Sequence, residues 1–88
     1  MTTELFGLST CPYTSEMRDW LEADARSFIE HDVEQDPVAC QRLLRLTGGR
    51  RTVPVLVESG RVVRVGWLGR GCVISLGSAP DLRFGPRP

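Results

Sequence analysis

The sequence predicts a small α/β domain with a four-stranded mixed β-sheet. Residues 13–25 and 37–47 have the apolar spacing of helices that bury one face, and each helix follows a short run typical of a strand. Two β-branched runs on either side of Ser59–Gly60 predict an antiparallel hairpin. The predicted order is β-α-β-α-β-β, in which strand–helix–strand connections make the first strands parallel and the hairpin adds an antiparallel edge.

Local features support the first half of this order. Glu4–Leu8 and Arg26–Asp32 are short apolar-biased runs that we interpret as the first two strands. Between them, one face of the first helix carries four apolar side chains that we expect in the core, namely Tyr13, Met17, Trp20 and Leu21. Charged residues fill the opposite face of this helix.

The second helix begins where an acid precedes a proline. Asp36 is predicted as its N-cap, and Pro37 occupies the first helical position, where no backbone N–H is needed. The helix is predicted to end at Gly48–Gly49. Cys40 lies on the apolar face, so we expect this thiol in the core. His31 lies among acids before this helix, where we expect a hydrogen-bonded surface role instead of catalysis.

Periodicity is lost after Gly66, so a third helix is expected to be short or missing. Residues 1–76 are predicted to form one domain, and residues 77–88, rich in Gly, Pro and Arg, a disordered tail. No apolar run approaches the roughly 18 residues of a membrane span, and no signal-peptide pattern is visible. We expect a cytoplasmic monomer without membrane or nucleic-acid partners.

The charges are segregated along the chain although the formal net charge is zero. Residues 1–36 hold nine acids and two arginines, and residues 37–88 hold nine arginines and two acids. The basic half suits an acidic partner or an anionic small molecule, or the two halves pair with each other in the fold. With three cysteines, one histidine and no zinc-site spacing, we expect no metal site and no disulfide scaffold.

Cys11 is the candidate nucleophile. It follows the first predicted strand and precedes Pro12, which makes it the natural N-cap of the first helix. Ligands bind at this edge of open α/β sheets, and unpaired N–H groups and the helix dipole there lower a cysteine pKa from about 8.5 toward about 3.5–7.5. The Thr14 hydroxyl can add a hydrogen bond. The alternative is an inert, buried cysteine.

These motifs together resemble a known family. CPYT at a helix start, then TVP, then a hairpin ending in glycine resemble a glutaredoxin over residues 3–66. More closely, CPYTSE, LTGGRRTVPVLVESGRVV and GWLGRGC resemble the UXX-star family of glutaredoxin-like proteins and selenoproteins, in which the position of Cys11 can be selenocysteine. The resemblance implies a thioredoxin/glutaredoxin-like fold.

The resemblance also implies roles for individual residues. Cys11 would be the nucleophilic thiol and Pro54 a cis-proline facing it, while the backbone of Val53 would pair with the cysteinyl part of glutathione. Arg51 would meet a glutathione carboxylate. The other positions expected at the substrate site are Tyr13, Thr14, Thr52, Gly66 and Trp67. Glutathione would be a co-substrate, with no tightly bound cofactor.

Thr14 stands where many redox proteins have a second cysteine, so the motif has no resolving thiol of its own. A monothiol route is predicted, in which Cys11 attacks a mixed disulfide and a second thiol releases the adduct. Cys72 is a possible resolving thiol, because glycines flank Arg70 just before it and this arginine is expected to favour its thiolate. Simple packing is the alternative role for Cys72.

Two departures from the glutaredoxin pattern predict a weaker glutathione site. Leu8 stands where glutaredoxins usually carry a lysine, and Trp67 and Leu68 follow Gly66 without the usual acid. Two function classes remain. The first is a thiol–disulfide oxidoreductase that uses glutathione or protein thiols. The second is a non-catalytic module that binds an iron–sulfur cluster with glutathione or recognises a protein.

Overall fold

A four-stranded mixed sheet forms the centre of the computed structural model, which describes residues 2–74. Along the chain the elements are β1 (Thr3–Gly7), α1 (Pro12–Ala23), β2 (Ile29–Asp32), α2 (Pro37–Thr47), β3 (Thr52–Val53), β4 (Val55–Glu58), β5 (Arg61–Val65) and β6 (Cys72–Val73). The sheet order is β2-β1-β4-β5, with β1 and β2 parallel and the other pairs antiparallel. The predicted mixed α/β fold is therefore confirmed.

The run that was predicted as one strand before the hairpin is divided by Pro54. Proline has no N–H for a ladder, so β3 leaves the main sheet there and pairs antiparallel with β6 instead. Residues 68–74 contain no helix, as expected, and the two-residue strand β6 lies there. The predicted tail at residues 77–88 lies outside the described residues. Within residues 2–74, no helix is long and apolar enough to cross a membrane.

The two helices cover opposite faces of the sheet. Side chains alternate along β1, so Leu5 packs with Met17 and Leu21 of α1, whereas Phe6 packs in the cluster that contains Leu43 of α2. The α2 caps follow the prediction: Asp36 Oδ1 accepts the N–H groups of the second and third helical residues at 3.1 and 3.2 Å. This arrangement leaves the start of α1 at the end of β1.

The prediction that Trp20 lies in the core is wrong. The face of α1 that packs on the sheet carries Thr14, Met17 and Leu21, and Trp20 lies to one side of it, with 37% of its surface exposed. Its ring packs 5.6 Å from the ring of Trp67, and the Arg64 guanidinium lies 5.2 Å above it. Trp20 is thus part of a surface aromatic contact.

A buried carboxylate joins β1, β2 and α2. Glu4 is 7% exposed and accepts two hydrogen bonds from the Arg42 guanidinium, at 2.7 and 3.0 Å, and lies 2.9 Å from His31 Nε2. His31 also stacks on Phe6, so it is hydrogen-bonded as expected. The Arg42 hydrogen bonds, opposed by burial and assisted by His31, lower the pKa of Glu4 from 4.5 to about 2. The Glu4–Arg42 ion pair links the acidic and basic halves of the chain.

Replacing Glu4 by glutamine is expected to lower the free energy of unfolding at neutral pH and to change its dependence on acid. Because the folded pKa lies below the unfolded one, the carboxylate adds stability above about pH 4.5, and this stability is lost as the pH falls toward 2. The shift corresponds to roughly 3 kcal/mol. Urea unfolding across this window measures it, with the exposed Glu34→Gln as control. Parallel acid profiles for wild type and Glu4→Gln would contradict the assignment.

Candidate active site

Cys11 lies in the turn between β1 and α1. Its backbone N–H donates to the Leu8 carbonyl at 3.1 Å, and its carbonyl accepts the Ser15 N–H at 3.2 Å, which starts the helix. Thr14 closes the same turn, because its Oγ1 accepts the Leu8 N–H at 3.3 Å. The backbone therefore holds the sulfur at the N-terminus of α1, as the sequence predicts, where unpaired N–H groups and the positive end of the helix dipole lie.

The surroundings of Cys11 favour its thiolate. Burial alone would raise the pKa of Cys11, but it is outweighed by hydrogen bonds from the Cys72 thiol, the Thr14 hydroxyl and the backbone N–H groups of Thr14 and Tyr13, which lower the pKa below its usual value. The side chain makes no well-aligned capping hydrogen bond, so the backbone donors act through less direct contacts. The thiolate is the nucleophilic form of cysteine.

Replacing Thr14 by valine is expected to raise the pKa of Cys11. Valine keeps the volume of threonine but removes the hydroxyl that donates to the sulfur. The ultraviolet absorbance of the thiolate and the rate of alkylation, both followed against pH, should shift to higher pH. Thr14→Ser keeps the hydroxyl and is the matched control. A titration that is the same in the valine variant and in wild type would show that the hydroxyl does not act on the thiolate.

Val53 and Pro54 are buried beside the nucleophile. The peptide bond between them is cis, which confirms what the resemblance implied. Both residues are fully buried, and Val53 belongs to the same apolar cluster as Cys11. Two parts of the predicted site that are distant in sequence, the start of α1 and the start of the hairpin, are therefore brought together.

The outer edge of β3 is occupied by β6. In this antiparallel pair Val53 lies opposite Cys72, and the Ile74 N–H extends the pairing by donating to the Arg51 carbonyl at 2.8 Å. The resemblance assigns the backbone of Val53 to the cysteinyl part of glutathione. In this structure a strand of the same chain is paired there.

Cys72 packs against the apolar cluster that contains Cys11. The hydrogen bond to the Cys11 sulfur raises the pKa of Cys72 to about 11, and burial and repulsion from the Cys11 charge act in the same direction. Arg70 was expected to favour the Cys72 thiolate, but the hydrogen bond to Cys11 and burial act against it and raise the pKa of Cys72. Within the pair, the surroundings favour the thiolate at Cys11 and the thiol at Cys72.

Cys11 is also buried. It is 1% exposed, whereas Cys72 is half-buried and packs against the cluster that contains Cys11. The Cys11 sulfur must therefore be uncovered before an incoming disulfide can reach it. Because β6 has two residues, few hydrogen bonds must break for it to move.

A tight turn returns the chain from β5 to β6. Trp67 and Arg70 exchange backbone hydrogen bonds of 2.7 and 2.9 Å, and Leu68 and the following glycine have φ values of +53° and +78°, as in a type I′ turn. Gly66 precedes the turn at φ +82°, and a Cβ there would lie 2.8 Å from the Arg70 carbonyl oxygen. The turn is what brings Cys72 back to β3.

A cavity of about 260 Å³ lies between the start of α1 and the turn before β6. Its lining is formed by Tyr13, Glu16, Trp67, Leu68 and Arg70. Neither cysteine lines it, but Tyr13 follows Cys11 by two positions and Arg70 precedes Cys72 by two. Trp67 forms one wall, with its indole N–H donating to the Glu16 carboxylate at 3.0 Å. The predicted residues Tyr13 and Trp67 therefore share one cavity.

The other predicted residues lie at different distances from the nucleophile. Thr52 is partly buried in β3, and the Arg51 side chain is exposed next to it. Cys40 is 4% exposed on α2, as predicted, and burial raises its pKa. The sequence analysis missed Glu16, for which no signal beyond its helical position exists. Within residues 2–74, no cluster of His, Cys, Asp and Glu side chains could hold a metal ion.

A mixed α/β fold has a cysteine at the start of its first helix and a cis-proline after a valine that packs in the same cluster as this cysteine. This combination defines a redox-type protein of the thioredoxin fold. Residues 3–63 match the family model described as glutaredoxin, and the chain belongs to the glutaredoxin family.

Two solved structures are similar to this chain. The crystal structure of the thioredoxin-like protein BC3987 has a TM-score of 0.65 and 27% identity, covering 70% of this chain and 84% of that one. A mutant of the same protein gives a TM-score of 0.66 and 26% identity, covering 73% and 81%. No match was found among curated proteins. These similarities support the fold described above.

Proposed function

We propose that this protein is a thiol–disulfide oxidoreductase in which Cys11 is the nucleophile. The observation that carries the proposal is the position of its sulfur at the N-terminus of α1, where hydrogen bonds lower the pKa of Cys11 despite burial. The two other cysteines differ from it, because the pKa is raised at both Cys40 and Cys72. Cys11 is therefore the cysteine whose surroundings favour the nucleophilic thiolate.

The first step is thiol–disulfide exchange. The Cys11 thiolate attacks one sulfur of a substrate disulfide, a bond forms between the two sulfurs, and the other half of the substrate leaves as a thiolate that takes up a proton from water. A second thiol then attacks the mixed disulfide and releases the adduct. Because position 14 is Thr14, this thiol comes from glutathione or another thiol in a monothiol route, or from elsewhere in the chain.

Further features support a narrower assignment. The GWLGRGC segment builds the turn and β6, which supports membership of the Cys-containing group of UXX-star proteins. Arg51 beside β3 suits a glutathione or peptide carboxylate. We further propose that the protein works as a monomer in the cytoplasm, a reducing compartment that suits thiol–disulfide exchange through a reduced Cys11.

Single-turnover reduction of hydroxyethyl disulfide tests this function. Reduced wild-type protein should consume the disulfide and lose thiols, Cys11→Ser should fall to the uncatalysed rate, and Cys40→Ser should match wild type. Brief alkylation at neutral pH, followed by peptide mass mapping, should modify Cys11 before Cys40. Preferential labelling of Cys40, or equal rates for wild type and Cys11→Ser, would refute the proposal.

A further inference from the structure

The edge of β3 is a place where an extended thiol substrate can pair. Addition of a strand to a free sheet edge is a general mode of peptide recognition, in which backbone hydrogen bonds supply affinity. Val53 presents this edge within the cluster that contains Cys11. A cysteine residue that pairs with Val53 from outside therefore places its sulfur next to the nucleophile.

In this chain that position is filled by β6. Cys72 is the residue opposite Val53, and Ile74 continues the pairing on the Arg51 carbonyl at 2.8 Å. The approach is close, since a Cβ on Gly71 would lie 2.6 Å from the Val53 carbonyl oxygen. The tight turn that ends at Arg70 fixes the path of this segment. A bound peptide and β6 cannot pair with the same edge of β3 at once.

We infer that β6 takes the place of a bound thiol substrate and that Cys72 is the resolving thiol, so that the protein cycles through a Cys11–Cys72 disulfide without glutathione. This inference rests on the proposed function and adds to it the partner of Cys11. The substrate strand and the resolving cysteine alternate at one edge: β6 moves aside for the first exchange and returns for the second.

The second step is a thiol–disulfide exchange within the chain. The Cys72 thiol loses its proton and attacks the Cys11 sulfur of the mixed disulfide, the Cys11–Cys72 bond forms, and the substrate sulfur leaves with a proton as a thiol. Two electrons have then passed from the cysteine pair to the substrate disulfide. A dithiol reductant, which is itself oxidised to a disulfide, restores the two thiols.

The surroundings of Cys72 change in the direction that this step needs. The hydrogen bond to Cys11, together with burial and the Cys11 charge, raises the pKa of Cys72 to about 11 in the reduced protein. When Cys11 enters a mixed disulfide this charge is lost, and so are the hydrogen bond and the repulsion that hold the proton on Cys72. The resolving thiol therefore becomes easier to ionise only after the first exchange has occurred.

The experiment compares the fate of the adduct in matched proteins. Reduced wild type, Cys72→Ser and Cys40→Ser are each treated with one equivalent of oxidised glutathione, quenched with acid to stop thiol–disulfide exchange, and analysed by intact mass and peptide mapping. We expect wild type and Cys40→Ser to lose two hydrogens as a Cys11–Cys72 disulfide with little glutathione attached. Cys72→Ser should accumulate the Cys11–glutathione adduct, about tenfold or more above wild type.

A second measurement separates this inference from the proposed function. Native reduced protein is oxidised with copper–phenanthroline, which forms disulfides between adjacent thiols whether or not any substrate is turned over. If copper–phenanthroline forms a Cys11–Cys72 bond but the protein does not reduce hydroxyethyl disulfide, the proposed function is refuted, although the two thiols are shown to be adjacent. Reduction of hydroxyethyl disulfide without this bond, or a wild-type glutathione adduct as persistent as that of Cys72→Ser, would overturn the inference.

Discussion

Replacing Gly71 by alanine keeps both cysteines and is expected to slow formation of the Cys11–Cys72 disulfide by about tenfold to a hundredfold. The new Cβ would lie 2.6 Å from the Val53 carbonyl oxygen and 2.8 Å from Thr52 Cγ2. The obstacle at Val53 is backbone, so β6 must move away from β3. Displacement of a reacting group by about 1 Å can cost about a hundredfold in rate.

The same variant should expose Cys11 to reagents. Brief alkylation is expected to label Cys11 faster than in wild type, while the Cys40 thiol in the core stays protected. Val73→Ala is the matched control, because this side chain is 75% exposed and its loss leaves the backbone pairing of β6 in place. If Gly71→Ala forms the disulfide as fast as Val73→Ala, the position of β6 does not control resolution. Faster labelling of Cys40 as well would indicate global unfolding.

Gly66→Ala is expected to lower the free energy of unfolding by about 2–3 kcal/mol. Gly66 has φ +82°, where an L residue is disfavoured by about 1–2 kcal/mol, and its Cβ would also meet the Arg70 carbonyl oxygen at 2.8 Å. The Gly66 N–H donates to the Pro54 carbonyl at 2.7 Å, so a shift also weakens that hydrogen bond. Urea unfolding monitored by tryptophan fluorescence measures the change.

Gly60→Ala provides the comparison for this prediction. Gly60 has a similar φ of +79°, but no atom lies within 4 Å of the position that a Cβ would take there. Only the conformational cost of about 1–2 kcal/mol should then appear. If the two variants lose the same free energy of unfolding, the contact with the Arg70 carbonyl does not destabilise Gly66→Ala, and the turn adjusts to the new Cβ.

Local signals explain why much of the fold could be predicted from the sequence. Each helix begins where an N-cap residue is followed directly by a proline, at Cys11–Pro12 and at Asp36–Pro37. The end of α2 is likewise determined by the glycines that follow it. The order of strands follows from periodicity and from the turn at Ser59–Gly60. The structure confirms each of these, because no distant contact has to be known to infer them.

The contacts that sequence analysis missed join distant segments. The pairing of β6 with β3 is one of them, because a two-residue strand has no periodicity and its partner lies about twenty positions earlier. The glycines at 66, 69 and 71 were the available signal, since they permit the turn and the close approach to Val53. Trp20 was wrongly assigned to the core because helical spacing predicts which side of a helix is apolar but not how much of that side is buried. Trp20 instead packs against Trp67 at the surface.

The cover over Cys11 has a consequence for damage by oxidants. A thiolate that is open to solvent reacts with hydrogen peroxide to a sulfenic acid and can continue to the irreversible sulfinic and sulfonic acids. At 1% exposure the Cys11 sulfur is screened from small oxidants in the reduced protein. A sulfenic acid formed when β6 opens would meet the Cys72 thiol on closing and condense to a disulfide, with loss of water. The strand that delays the substrate thus also keeps the nucleophile in a form that can be reduced again.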